Sequence, residues 1–409
     1  MTTPLTRTHG LIPMTGRDRN ESHRAATPLE LLYDLTFVVA FSIAGSQLAH
    51  ALTEGHAVTG VIAFTFAMAA MVWAWINFSW FASAYDTDDW AMRLATLVQM
   101  IGVLVFGLGL PQMFEAAHHG HLDNQIMVVG YVILRVSQVS LWLRAAHEDP
   151  AHSSTLRRYA LCITSAQVLW VVVAFGHLPT AVAVPLGVVV FAFEFWSVYA
   201  AERRNGTPWH PHHIAERYSL LAIISLGEVI LGTTTAIEAV VAAQGWTVEA
   251  ALIGIAGVSL AVGMWWTYFS NPFAEIIERK PEKSFGWGYS HVLLYAAIAA
   301  VGAGLHVAAY FIEGKAKVSE TGVMLMIAVP LGVFLVLVYA LFHYLLPGRD
   351  AFHWFLLAAT LVVLVVSVLL PEVGASLGVS LVVLMFVPWI TVVGYETVGA
   401  RKIEEHLAA

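Results

Sequence analysis

Long apolar runs separated by short polar clusters dominate this chain. Read with a window of about 20 residues, the length that crosses a bilayer as a helix, the pattern predicts twelve spans. They centre on residues 29–50, 58–82, 92–114, 125–144, 157–176, 180–201, 214–236, 249–269, 288–311, 321–346, 351–370 and 376–398. Links as short as Gly176 to Thr180 and Pro347 to Asp350 favour antiparallel helical neighbours. The expected fold is therefore all-α, a polytopic transmembrane helical bundle.

The placement of positive charge gives an independent check, because cytoplasmic loops carry the excess of Lys and Arg. With the N-terminus inside, the inner segments hold Arg7, Arg17, Arg19, Arg24, Arg93, Arg144, Arg157, Arg158, Arg203, Arg204, Arg217, Arg279, Lys280, Lys283, Arg349, Arg401 and Lys402, and the outer loops hold only Lys315 and Lys317. A miscounted helix would move every later loop to the other side. The separation thus predicts an even number of spans with both ends cytoplasmic.

An internal repeat is also legible. Trp75-Ile-Asn-Phe-Ser79 in the second span matches Trp266-Thr-Tyr-Phe-Ser270 in the eighth, and Glu30-x-x-Tyr33 resembles Glu216-Arg-Tyr218. The register predicts two six-helix halves, 27–207 and 208–400, flanked by a flexible cytoplasmic tail at 1–26 and another at 401–409. Six spans per half would relate the halves as parallel repeats about an axis along the membrane normal. In this register Glu216 corresponds to Glu30, whereas Glu228 falls opposite Ser42.

Composition agrees with the membrane reading: 58% of the 409 residues are hydrophobic and 12% charged. The net charge of -8 is dispersed and no basic tract is present, so a nucleic-acid partner is not expected. The single cysteine, Cys162, excludes an intramolecular disulfide. Arg7, Arg17, Arg19 and Arg24 precede the first span without the short apolar stretch and small-residue cleavage site of a signal peptide, so that span is expected to serve as an uncleaved signal.

Against this apolar background the ionisable residues stand out. Glu30 and Asp34 lie four residues apart on one face at the start of the first span, with Thr27 as a predicted N-cap and Pro28 in the first turn. Two carboxylates so close need a cation, a proton or an Arg, and Arg24, Arg93 and Arg217 are the nearby partners expected. A structural salt-bridge cluster and a point where protons or cations come in are both open readings. The second cluster is Glu216, Arg217 and Glu228. Arg217 and Glu228 are three turns apart on one stripe, with Leu221 and Ile224 between them, and Gly227 is expected to let another helix approach beside the carboxylate. A carboxylate at mid-span costs about 2.5–3.5 kcal/mol on insertion scales, so it faces protein or a water-filled cavity. Whether Glu228 works or only holds two helices together is open at this point.

Arg135 and Glu194, mid-helix in the fourth and sixth spans, are expected to pair with each other. His291 is expected to be packed and hydrogen-bonded. Two histidine-rich stretches, His118-His-Gly-His121 with Asp123 and His210-Pro-His-His213, have imidazole but no fixed ligand geometry, so no metal and no cofactor is expected.

Two motifs then suggest a family. Glu30-Leu-Leu-Tyr-Asp-Leu-Thr-Phe-Val38 resembles the opening of the bacterial low temperature requirement A proteins, and Glu216-Arg-Tyr-Ser-Leu-Leu-Ala-Ile-Ile-Ser-Leu-Gly-Glu228 is similar to a second segment of that family, with Tyr33 and Tyr218 where Phe is usual. The resemblance covers nearly the whole chain. It implies a multi-pass protein of the cytoplasmic membrane, linked by name to growth in the cold, and it supplies no mechanism.

The leading expectation is a transporter or channel-like permease, proton-coupled, for an unidentified ion or small molecule. Its pathway would use Glu30, Asp34, Arg93, Glu216, Arg217 and Glu228. The alternative is an intramembrane enzyme or lipid-handling protein, which predicts a lipid-sized cleft open to the bilayer, lined by those carboxylates or by the outer histidines. A third is a non-catalytic stress or assembly factor, for which Glu30→Gln and Glu228→Gln would leave growth in the cold near normal.

Overall fold

A computed structural model of the chain describes residues 10–18, 21, 24–203, 205–347 and 351–401. Arg7, Arg19, Arg204, Arg349 and Lys402, which entered the charge comparison, lie outside the described residues. The described elements are all helical, and twelve spans are long and apolar enough to cross a membrane. These are α1 (Pro28–Thr53), α2 (Ala57–Tyr85), α3 (Trp90–His118), α4 (Gln125–Glu148), α5 (Ser153–Phe175), α6 (Thr180–Glu202), α7 (Pro211–Gln244), α8 (Val248–Arg279), α9 (Pro281–Ile312), α10 (Glu320–Leu345), α11 (Ala351–Val373) and α12 (Leu377–Gly399). The twelve expected spans are all present.

Local chemistry explains the ends. Thr27 and Glu30 form a reciprocal capping box: the Thr27 N–H donates to Glu30 Oε2 (2.8 Å) and the Glu30 N–H to Thr27 Oγ1 (3.3 Å). Ser319 and Ser376 cap α10 and α12 by accepting from the N–H three residues on. The span α3 is interrupted at Gly109, just before Pro111. With no breaker before Gly245 (φ +75°), α7 runs for 34 residues. That is about 51 Å of helix, well beyond the roughly 30 Å of a hydrocarbon core.

The chain divides into two compact units. Unit 1 lies within Met1–Ala40 and Trp73–Ile214. In it α3 packs on α4, α4 on α5 and α5 on α6. The α3–α4 seam is backbone against backbone: a Cβ at Gly102 would sit 2.7 Å from the Leu134 nitrogen, and one at Gly130 would sit 2.2 Å from the Phe106 nitrogen. Ser137 donates to the Ala95 carbonyl along the same seam (2.7 Å). Close approach of small residues is how helices associate where no hydrophobic effect drives them together.

The described part of the N-terminal segment differs from the flexible tail expected for it. The Ile12 N–H donates to Asp89 (3.1 Å), the Ile12 carbonyl accepts from Arg144 (2.8 Å), the Met14 N–H donates to Glu148, and the Arg17 N–H donates to the Ala84 carbonyl (3.1 Å). Burial raises the pKa of Asp89, but Arg144 and the Met92 and Ile12 N–H groups outweigh it and hold the carboxyl at about 2.

Asp86, in the turn between α2 and α3, behaves in the opposite way. Burial, and then the Glu30 carboxylate, push it up to about 6, against the Asp88 N–H and the Arg24 guanidinium 4.0 Å away. Its folded form keeps its proton to higher pH than the unfolded chain does. The stability this contributes is therefore full below about pH 4 and is lost as pH rises through about 6. Asp86→Asn is expected to remove that loss, up to about 3 kcal/mol, so thermal melts of the variant in detergent should vary less between about pH 4 and 7 than those of the wild type.

Unit 2 lies within Phe41–Val72 and Ala215–Ala409. There α9 packs on α10, α8 on α12, α10 on α11 and α11 on α12. The central window of α9 is 83% buried and that of α11 only 17%, which makes α9 the core helix of this unit. Pro388 of α12 fits against Gly263 of α8, where a Cβ would come within 2.7 Å of its ring. Glu249 reaches the first turn of α12, accepting from Ser376 Oγ (2.8 Å) and the Gly378 N–H (2.6 Å), the end of a helix that favours negative charge. At the other side of the unit, Lys280 and Lys283 donate to the last carbonyls of α10 at Tyr344 and Leu345.

Candidate functional site

In unit 2 the deepest carboxylate is Glu228, 2% exposed and seventeen residues into a 34-residue helix. Ser42 of α1 lies beside it. Its Oε2 lies 3.6 Å from where a Gly45 Cβ would be, and its backbone carbonyl 2.5 Å from where a Gly302 Cβ would be. Its Oε1 is buried without a hydrogen-bond partner. The close approach expected at Gly227 is corrected here: a Cβ at Gly227 would meet nothing within 4 Å. Position 227 points away from the neighbours that crowd position 228, and the space around the carboxylate comes from glycines on α1 and α9.

Towards the start of α7, Arg217 is fully buried and Glu216 half-buried. Arg217 and Glu228 lie on the same helix, about 16 Å apart along its axis. Beside Tyr218 is an aromatic box around His291. Its Nδ1 lies 2.7 Å from the Trp287 carbonyl and can only donate there, so Nε2 accepts from Tyr268 Oη at 3.0 Å, which fixes a neutral tautomer. Tyr295 donates to the Tyr218 carbonyl (2.8 Å). His291 is thus packed and hydrogen-bonded.

In unit 1 Glu30 and Asp34 are both buried, 1% and 0% exposed. Glu30 meets His213, with Nε2 at 3.2 Å from Oε1, a neighbour that spacing arguments missed. His213 is oriented by His210, whose Nδ1 accepts from the His213 N–H (3.3 Å). The motif His210-Pro-His-His213 is the signal that pointed to it, read for metal rather than for a carboxylate. Asp34 accepts from the Trp75 indole N–H at 2.7 Å. Of the expected Arg partners, Arg24 donates to the Ser83 and Ala82 carbonyls (2.7 and 2.6 Å) and remains close enough to Glu30 for the two charges to interact, and exposed Arg93 grips Asp88 with two hydrogen bonds (2.9 and 2.8 Å).

Unit 1 also holds a second buried centre. Glu194 accepts from Tyr131 Oη (2.8 Å), Trp170 Nε1 (2.9 Å), Gln167 Nε2 (3.4 Å) and Arg135 Nη2 (3.3 Å). Four donors from two neighbouring helices, α4 and α5, saturate its two oxygens, which makes this carboxylate a fixed strut. Among the described residues, no group of three or more His, Cys, Asp or Glu converges in a geometry that would hold a metal ion.

Twelve apolar helices that enclose carboxylates at membrane depth define a polytopic helical membrane protein. The chain belongs to the family described as bacterial low temperature requirement A protein, whose family model matches residues 25–388, the region bracketed by the Glu30 and Glu216 motifs and beyond. It is also similar, at 27% identity over 264 residues, to an uncharacterized protein of Rhizobium meliloti (strain 1021). That match covers 62% of this chain and 61% of the relative, so it spans about three-fifths of the relative's length. No solved structure matches the chain.

Proposed function

We propose that the protein is a proton-coupled permease of the bacterial cytoplasmic membrane, with both termini cytoplasmic, that carries an ion or small polar solute past Glu228. The observation that carries this reading is the geometry of Glu228: a buried carboxylate at mid-helix, walled by glycine backbone, with one oxygen unpaired. A purely structural carboxylate is saturated, as Glu194 is. In this reading Glu228 takes up and releases the proton, and Arg217 and Glu216 flank the route from the cytoplasmic side. Glu30 and Asp34 line the cytoplasmic end of α1, and Arg93 contributes surface charge. The asymmetry of Lys and Arg supports the orientation.

The two six-helix halves, 27–207 and 208–400, fit a duplication. Trp75 and Trp266, matched in the repeat, each donate an indole N–H to a carboxylate, Asp34 and Glu396. The repeat register also pairs Ser42 with Glu228, and these two residues lie beside each other in unit 2. Such a meeting of matched positions fits an axis relating α1 to α7.

Flux of a panel of ions and small solutes into proteoliposomes, with and without a pH gradient, tests the reading. Glu228→Gln is expected to abolish coupled flux while leaving the thermal melt near that of the wild type. Unaltered flux in that variant would remove Glu228 from the mechanism. One observation favours the lipid-handling alternative: an apolar recess in unit 2. No Asp, Glu, His, Lys or Arg lines it, so it suits binding a lipid better than reacting with one.

A further inference from the structure

The recess lies between the second half of α1, the first half of α2, α9 and α10, all in unit 2, and encloses about 470 Å³. Ligand pockets are about 300–1000 Å³, so it is of ligand-binding size. Its depth comes from α9, which presents Ala296, Ala297 and Ala300 where larger side chains would fill the gap. Its rims are tall: Leu293, Leu325 and Val329 are 49%, 46% and 56% exposed. All of these lie within membrane spans, so the medium at the mouth is acyl chain rather than water. Thr65 is the one hydroxyl in the lining, and the floor offers no charged anchor. The body of an occupant is therefore a hydrocarbon.

The end of the recess supplies what the floor lacks. Leu52 lines it one residue before α1 ends, and Gly322 lines it two residues after α10 begins. Across that end lies the α9–α10 turn. The Lys317 N–H donates to the Thr53 carbonyl (3.0 Å) and its ammonium reaches Glu54 (2.5 Å), while Lys315 meets Glu313 (2.7 Å). The two lysine side chains are 68% and 67% exposed, so each ammonium keeps donors for a further acceptor. They are also the only Lys or Arg in the turns at this end of the spans. An apolar trough closed at the membrane surface by two cations has the polarity of a phospholipid: chain below, phosphate above.

We infer that the recess is a binding site for one acyl chain of a bilayer glycerophospholipid, whose phosphate is held by Lys315 and Lys317. The inference does not depend on the permease reading of Glu228, and its test does not measure flux. Full-length protein is reconstituted in phosphatidylglycerol nanodiscs containing a phosphatidylglycerol with a diazirine on one acyl chain, illuminated, and its adducts mapped by peptide mass spectrometry. Labelling is expected to concentrate several-fold on residues 293–300 and 325–333 over the equally exposed face of α11 around Trp354, Phe355 and Val362. Ala297→Phe, which fills the floor, and Leu325→Trp, which narrows the mouth from an exposed position, should each remove that enrichment. Lys315→Gln with Lys317→Gln should bring it most of the way down to the α11 level. Equal labelling of α11 in the wild type, or enrichment unchanged by Leu325→Trp, would mean annular lipid only and overturn the site. Enrichment that survives the double lysine replacement would overturn the phosphate assignment.

Discussion

Arg135→Leu is expected to destabilise the protein by about 3–5 kcal/mol, the cost of removing one member of a fully buried ion pair. The physical reason lies in the partner left behind. Glu194 would keep Tyr131, Trp170 and Gln167 as donors but lose its counter-charge, with both side chains only 1% exposed. Glu194→Gln in the same background should recover much of the loss, because a neutral amide needs no counter-ion. Urea or thermal unfolding of the two variants in detergent measures both effects. A single Arg135→Leu that melts with the wild type would show that the pair contributes nothing, and equal melts for the single and double variants would show that the uncompensated charge is not the cause.

The second large effect is at Gly302. A Cβ there would lie 2.5 Å from the Glu228 carbonyl oxygen and 2.6 Å from its carbon, both backbone atoms that no rotamer change can move. Gly302→Val is expected to push α9 from α7, costing upwards of about 1–3 kcal/mol, and to eliminate any flux that uses Glu228. Gly227→Ala is the matched control. It adds a methyl next door to Glu228 where nothing lies within 4 Å, and replaces a helix-interior glycine, so it should be neutral or stabilise by up to about 1 kcal/mol. If Gly227→Ala proved as damaging as Gly302→Val, the crowding would be on the wrong side of the carboxylate.

These two glycines show where sequence reading runs out. Hydropathy located all twelve spans because the bilayer imposes a length on every helix, and the Thr27 N-cap was legible because the N–H it serves is only three residues on. The Arg135–Glu194 contact was legible because few groups of opposite charge reach the middle of a membrane. Partner choice among many candidates was not legible. Glu30 had three arginines within apparent reach, and its close neighbour His213 was not among the partners the spacing offered, while Gly227 flagged close packing that Gly302, seventy-five positions later, provides. Helical periodicity assigns a residue to a face, whereas the neighbour opposite that face is decided by the tertiary packing of other helices. The N-terminal segment was read as free because its hydrogen bonds to Asp89, Arg144 and Glu148 are all long-range.

The presence of Ser42 beside Glu228 bears on how that centre can be occupied. Two acids facing one another would titrate as a coupled pair, with the first proton altering the hold on the second and four occupancy states to pass through. A serine leaves a single ionisable side chain with two occupancy states. A permease of the kind proposed would then load one proton there at a time.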